Sequence, residues 1–243
     1  MPLRFKQCSL AIAFLGGLLL VVMAVGGYFD RSDMNWLEPA TGNSRRNSDL
    51  AIVYWSGDMG TRVGLGSQLL PVVSGQGIPV LSVTSPALFA RPRNRSFVDD
   101  QVVRSVRLAL AHKGIRRVAV VGDSFGADML GAGLGQLPFE LRKQVAAVVL
   151  LVPATAVYFA ANPTGIFYHG RVASDPDRTL PLLRGLPVTC VYGTDEADSL
   201  CREPVMGSAR RVAIHDGHMM LSRSEDAIQA VLQGVTNPPP AFR

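Results

Sequence analysis

Short apolar runs recur along the chain with longer stretches of mixed polarity between them, and this alternation limits the folds open to it. The runs are Leu50–Trp55, Ile78–Thr84, Arg117–Val121, Val145–Val152, Pro187–Tyr192 and Arg211–Ile214. Each is rich in Val, Ile or Leu, and most lack the polar alternation of a half-exposed strand. They predict strands buried on both faces. Between them, Gly64–Ser74, Ser96–Lys113, Phe125–Gly135 and Ser224–Gln233 read as helices. In Ser96–Lys113 the residues Phe97, Val98, Val102, Ser105, Leu108 and Ala109 form a stripe at helical spacing, with Ser96 placed to cap the start and Asp99 and Asp100 in the first turn. Strand–helix alternation implies an α/β fold: a mostly parallel sheet of about six strands flanked by helices. Ligands of such sheets bind at the carboxyl ends of the strands, so chemistry is expected in the loops that follow the runs.

The N-terminus carries the topological signal. Arg4 and Lys6 precede an uncharged run from Gln7 to Phe29. About 20 apolar residues span a bilayer, whereas the apolar region of a signal peptide is about 7–15 long. Residues 1–29 therefore read first as a transmembrane signal anchor, with Ala24, Gly26 and Gly27 leaving the alternative of a cleaved signal peptide. The basic flank stays cytoplasmic, which puts the body in the periplasm beside the inner membrane in either case. Residues 30–49 are polar and read as a stalk, 50–234 as the domain, and 235–243 as a flexible tail. Residues 153–180 hold no convincing strand and read as a lid insertion. The net charge of +5 comes from scattered residues without a nucleic-acid-binding motif, so no nucleic-acid partner is expected. The one local cluster, Arg91, Arg93 and Arg95, reads as a solvated loop, with contact to lipid phosphate as the alternative. Cys8 lies in the apolar segment; Cys190 and Cys201 are the two cysteines of the body, and an oxidising compartment predicts a bridge between them.

The run Arg117–Val121 is followed by Gly122-Asp123-Ser124-Phe125-Gly126, a G-x-S-x-G pentapeptide at a strand-to-helix junction. At such an elbow the serine takes strained backbone angles, and small neighbours let the helix approach the strand. This is the nucleophile position of an α/β-hydrolase fold, with the partners expected in the order Ser, acid, His. His218 follows the final run and is preferred to His215, which sits at the strand end; His112 precedes the serine and His169 falls in the lid. Asp195, Glu196 and Asp198 compete for the acid on the loop after Pro187–Tyr192; Asp198 is favoured, then Glu196, then Asp195. A Cys190–Cys201 bridge would brace that loop. The oxyanion donors are expected to be the backbone N–H groups of Phe125 and of Asp58 or Met59, in the Gly-containing loop Ser56–Gly60. No His/Cys cluster has metal-ligand spacing and no Gly-rich loop ends in Lys-Ser/Thr, so no cofactor is expected.

Ser56-Gly57-Asp58, the elbow continued as Ala127-Asp128, and Tyr192-Gly193…Glu196…Asp198-Ser199-Leu200-Cys201 before Gly217-His218 resemble the bacterial virulence-protein family VirJ/AcvB over roughly Leu50 to Gln233. The sequence departs from that pattern at Met59-Gly60-Thr61-Arg62, at Thr84-Ser85 and at Met219. The resemblance implies a periplasmic enzyme that cleaves the amino acid from an aminoacyl-phosphatidylglycerol such as lysyl- or alanyl-phosphatidylglycerol. A membrane phospholipid would be its substrate, and Asp128 is a candidate contact for a cationic aminoacyl group. The alternatives are a general membrane-anchored esterase or lipase, and a non-catalytic periplasmic adaptor of an envelope or secretion complex.

Overall fold

The structure, a computed structural model, describes residues 3–39, 49–165, 168 and 170–243, with side chains from residue 13 onward. The strands are β1 (Met34–Leu37), β2 (Leu50–Trp55), β3 (Val80–Val83), β4 (Arg117–Asp123), β5 (Val145–Leu151), β6 (Val188–Gly193) and β7 (Arg210–Ile214). The helices are α1 (Leu3–Gly26), α2 (Gly64–Gly75), α3 (Ser85–Phe89), α4 (Arg95–Leu110), α5 (Phe125–Gly133), α6 (Phe139–Arg142), α7 (Pro176–Thr179) and α8 (Ser224–Thr236).

The strands form one sheet in the order β1-β3-β2-β4-β5-β6-β7. All neighbours are parallel except β1, which runs antiparallel to β3. Successive side chains of a strand point to opposite faces, and this divides the core in two. Ala51, Val53 and Trp55 of β2 join Val118 and Val120 of β4 against α4 and α5, while Ile52, Tyr54, Ala119 and Val121 face α2 and α8. Burial on both faces explains why the runs are uninterrupted by polar residues; each fully buried Val or Leu contributes roughly 1.5–3 kcal/mol. From β2 the chain builds outward to β3 on one side, then returns to β4 on the other. The order reverses between β2 and β4, and the loops after those strands open a crevice there.

Three boundaries differ from expectation. The stalk contains β1: Met34–Leu37 pairs with Val80–Val83 along the sheet edge, so at least this part of 30–49 belongs to the domain. The tail is docked, because Phe242 is only 3% exposed and exchanges backbone hydrogen bonds with Gly185 and Leu186. Asn94, not Ser96, caps α4, its side chain accepting from the Phe97 N–H. The stalk residues 40–48 and His169 lie outside the described residues, as do the side chains of Arg4, Lys6 and Cys8. The expected transmembrane helix is not found: among the described residues no helix is long and apolar enough to cross a membrane. The helix α1 covers the apolar run, and Phe14, Leu15, Leu18 and Leu20 on it are exposed.

Candidate active site

Ser124 stands between β4 and α5 with φ 50° and ψ −117°, a conformation rare for a residue with a side chain. Close packing of the elbow against β2 holds it there. A Cβ at Gly126 would lie 2.2 Å from the Trp55 carbonyl oxygen, so any larger residue would push α5 off the sheet. The elbow thus lifts Ser124 Oγ into the crevice at the sheet's carboxyl edge.

Ser124 Oγ lies 2.8 Å from His218 Nε2. His218 Nδ1 lies 2.5 Å from Glu196 Oε1. With Nδ1–H donating to the carboxylate, Nε2 is left to accept the serine hydroxyl. The carboxylate against the histidine is therefore Glu196, and the preference for Asp198 is corrected. After β6 the chain is tied to the end of β7 and the loop that follows it: Thr194 N–H donates to Ile214 O, and Asp195 N–H to Asp216 O. Glu196 N–H then turns back to Gly193 O, which aims residue 196 at the histidine. By residue 199 the chain has moved to the end of β5, where Ser199 bridges Ala154 and Leu200 N–H donates to Pro153 O. Asp198 is left exposed on the way. The Cys190–Cys201 disulfide is present and closes the segment that carries all three acids. His215 bonds Thr194 Oγ1 through Nδ1, and His112 stacks on Trp36 with ring centroids 4.1 Å apart.

The turn after β2 closes with the Gly60 N–H donating to Gly57 O. A Cβ at Gly57 would be 3.4 Å from Ser124 Cβ, so this turn lies directly against the serine. Phe125 is the first residue of α5, and its N–H has no intrahelical acceptor. The two backbone segments expected to supply oxyanion donors, at Phe125 and at Asp58–Met59, thus flank Ser124. Asp58 has a second part that the sequence did not signal: its carboxylate accepts from the Asn162 N–H at 2.7 Å and from the Tyr168 hydroxyl. It latches residues of the lid segment to the turn.

Ser124 and His218 line two clefts. One is walled by Met59, Val63, Leu65, Met219 and Met220 and is mainly apolar, although Asp58 and Asp123 also line it. The other is also mainly apolar in surface and carries Asp128, Glu196, Asp198, Tyr158 and Tyr168, the two tyrosines stacked at 5.1 Å. Among the described residues lining either cleft there is no arginine or lysine. The acids bear on one another. Burial pushes the Asp58 carboxyl up to about 6, against the lowering effect of its Tyr168 and Asn162 bonds. Burial also raises Asp123 to about 6, although the Tyr54 hydroxyl donates to it at 3.1 Å. Asp128 is held well above the usual carboxylate range, by burial first and then by the charges of Asp58 and Glu196; its Oδ1 accepts from the Ala154 N–H. For His218, burial works to lower the pKa. The Glu196 bond and the charges of Glu196, Asp123 and Asp58 outweigh it, so the imidazole sits above its ordinary value.

The arginine cluster is occupied structurally rather than solvated as a whole. Arg93 donates to Leu88 O and lies over the Phe97 ring, while Arg95 pairs with Asp99 and donates to Ala132 O. Among the described residues no group of His, Cys, Asp or Glu could hold a metal ion.

A mostly parallel sheet with a strained serine after β4, facing a histidine that follows the last strand, defines an α/β-hydrolase fold. Solved structures share it at low identity. Est1E from Butyrivibrio proteoclasticus, with ferulic acid bound, is 13% identical with a TM-score of 0.60 over 82% of this chain and 91% of that one. The thermophilic esterase Est2 from Thermogutta terrifontis, with butyrate bound, is 17% identical with a TM-score of 0.54, covering 86% of this chain and 91% of that one. A thioesterase domain from the curacin biosynthetic pathway is 13% identical with a TM-score of 0.52, covering 82% and 94% respectively. No curated protein matches the sequence significantly. A family model described as bacterial virulence protein (VirJ) matches residues 49–237, and the chain belongs to this family.

Proposed function

We propose that the chain is a serine hydrolase of carboxylic esters, and that its substrate is an aminoacyl-phosphatidylglycerol from which it releases the amino acid. The observation that carries the proposal is the division of the crevice at Ser124. One cleft presents Met59, Val63, Leu65, Met219 and Met220; the other presents Glu196 and the exposed Asp198 beside a stacked tyrosine pair, with no arginine or lysine among the described residues lining either. An acid-lined, aromatic cleft suits a small acyl group bearing an ammonium. An apolar cleft suits the lipid side of the ester.

In this reading His218 Nε2 takes the hydroxyl proton as Ser124 Oγ attacks the ester carbonyl. The backbone amides of Phe125 and Asp58 hold the oxyanion, each donor contributing about 3–4 kcal/mol in comparable sites. The carbon–oxygen ester bond breaks, and His218 returns the proton to the departing glycerol oxygen. Water then repeats the sequence on the aminoacyl-serine, giving free amino acid and restored Ser124. Glu196 fixes the tautomer of His218 and stabilises the imidazolium.

The compartment proposed is the periplasm, at the inner membrane. Its support is the Cys190–Cys201 disulfide, of a kind that persists in oxidising surroundings, and the exposed apolar side chains of α1. The test is lipid hydrolysis by the full chain in detergent micelles. Lysyl- and alanyl-phosphatidylglycerol should yield free amino acid, and Ser124→Ala should reduce the rate by about 10⁴-fold or more. No amino acid from either lipid would remove this substrate. A second reading, a general membrane-anchored esterase, has its support in the apolar cleft. It gains if short fatty-acyl esters are cleaved and the aminoacyl lipids are not.

A further inference from the structure

The C-terminal end of α1 is seated on the turn that follows β2. Arg62 Nη1 donates to the carbonyls of Ala24 at 3.5 Å and Val25 at 3.3 Å, and Nη2 pairs with Asp30 at 2.7 Å. The last carbonyls of a helix lack intrahelical donors and form the negative end of its dipole, so a guanidinium there meets both needs. The helix ends in a Schellman pair, with the Tyr28 N–H donating to Met23 O and the Gly27 N–H to Ala24 O, which fixes the chain's exit. Tyr28 is 7% exposed.

The contact is close on both sides of the turn. Gly60 has φ +68°, and a Cβ there would fall 2.2 Å from the Gly26 carbonyl oxygen. A Cβ at Gly26 would lie 3.7 Å from the Asp58 carbonyl oxygen. On the opposite side, Gly57 reaches Ser124 as described above. A four-residue turn bearing the second oxyanion donor is therefore held between the end of α1 and the nucleophile.

We propose that the end of α1, clamped by Arg62, is a positioning element of the active site: it sets the place of the Gly57–Gly60 turn and so of the oxyanion donor on it. The inference rests on the reading of Ser124 as nucleophile. It carries a consequence for processing. Cleavage before Tyr28 would remove the carbonyls of Ala24, Val25 and Gly26 on which the turn is seated, so the working enzyme retains α1. Arg62 is half exposed and its ion pair contributes little to stability, so its loss displaces the turn without unfolding the domain.

The experiment uses the full chain in detergent micelles with a fluorophosphonate probe. Ser124 Oγ attacks phosphorus, the P–F bond breaks, fluoride leaves, and the hydroxyl proton passes to His218. The phosphonyl oxygen then occupies the oxyanion position, so the labelling rate reads the geometry of the donors. Arg62→Ala and Arg62→Asp should slow labelling, and kcat for a short p-nitrophenyl ester, by about tenfold, with KM within twofold. Asp30→Asn, a milder change, should cost two- to threefold, on the order of a weakened surface pair. The exchanged pair Arg62→Asp/Asp30→Arg restores the ion pair but not the donors to the Ala24 and Val25 carbonyls, so labelling should stay slow, whereas Arg62→Lys, which keeps a cationic donor at the helix end, should recover much of the rate lost in Arg62→Ala. Wild-type labelling together with undiminished rates in Arg62→Asp and Asp30→Asn overturns the inference and leaves the hydrolase standing. A folded wild-type chain that never labels overturns both.

Discussion

A carboxylate on Nδ1 decides which tautomer His218 adopts, and therefore whether Nε2 can take a proton from Ser124. At 2.5 Å from Nδ1, Glu196 holds that post, while Asp198 lies exposed in the acid-lined cleft. Glu196→Gln keeps the shape and removes the charge, which leaves the imidazolium uncompensated. It should lower kcat for a short ester by roughly 10²–10⁴-fold, whereas Asp198→Asn should stay within about threefold. The charge of Glu196 also helps to raise the His218 pKa, so the acidic limb of the wild-type kcat/KM profile should lie above the ordinary imidazole value. In Glu196→Gln the limb should move to lower pH. The reverse ranking of the two variants would return the acid role to Asp198. The sequence placed Ser124 and His218 because chain order and an elbow motif constrain each of them. It favoured Asp198 over Glu196 because the choice among the three acids depends on the hydrogen bonds of Thr194 to the end of β7 and of Asp195 to the loop after it, which no local pattern encodes.

Elements buried on both faces were legible because burial removes polar residues from them. The runs Leu50–Trp55 and Val145–Val152 match β2 and, but for one residue, β5. The edge strand β1 was not legible: it has four residues, half-exposed to exposed, set among polar neighbours. The Asp58 latch was equally silent, since its partners lie 104 and 110 positions away. The disulfide was foreseen from compartment and count, and its consequence belongs to the element it closes. Cys190 is in β6 and Cys201 follows the acid loop, with a sequence separation of 11. Cross-linking a loop of that size removes unfolded-chain entropy equivalent to about 3 kcal/mol. Cys190→Ala/Cys201→Ala should therefore lower unfolding stability by about 3 kcal/mol in a guanidinium titration. It should also lower kcat, because Glu196 lies between the two sulfurs in sequence. If the titration midpoint of the double variant matches wild type, the bridge does not brace this loop.

Across the whole molecule charge is distributed unevenly. Among the described residues lining the crevice there is no arginine or lysine, and Asp58, Asp123 and Asp128 there lie where burial disfavours their charge. Asp58 and Asp123 are each pushed up to about 6, and Asp128 further, by burial. Between the ordinary carboxylate range and those raised values, the folded chain binds more protons than the unfolded chain. Stability then falls as pH rises through the window from about 4 to 6. The raised His218 acts in the same direction at higher pH, its contribution being lost as pH rises through its folded value. Asp49 and Asp216, lowered chiefly by the Arg117 bond and the Gly217 N–H respectively, act oppositely, but only as pH falls toward the carboxylate range. The thermal midpoint should therefore be higher at pH 5 than at pH 7.5, by roughly 3–5 °C for a domain of this size. Asp123→Asn preserves an acceptor for the Tyr54 hydroxyl and removes the recessed charge. It should raise the midpoint at pH 7.5 and flatten the slope between the two pH values, while slowing ester hydrolysis by withdrawing one of the charges that hold His218 basic. A midpoint that instead climbs from pH 5 to pH 7.5 would mean that the exposed acid pairs, and not the crevice, govern the stability of the fold.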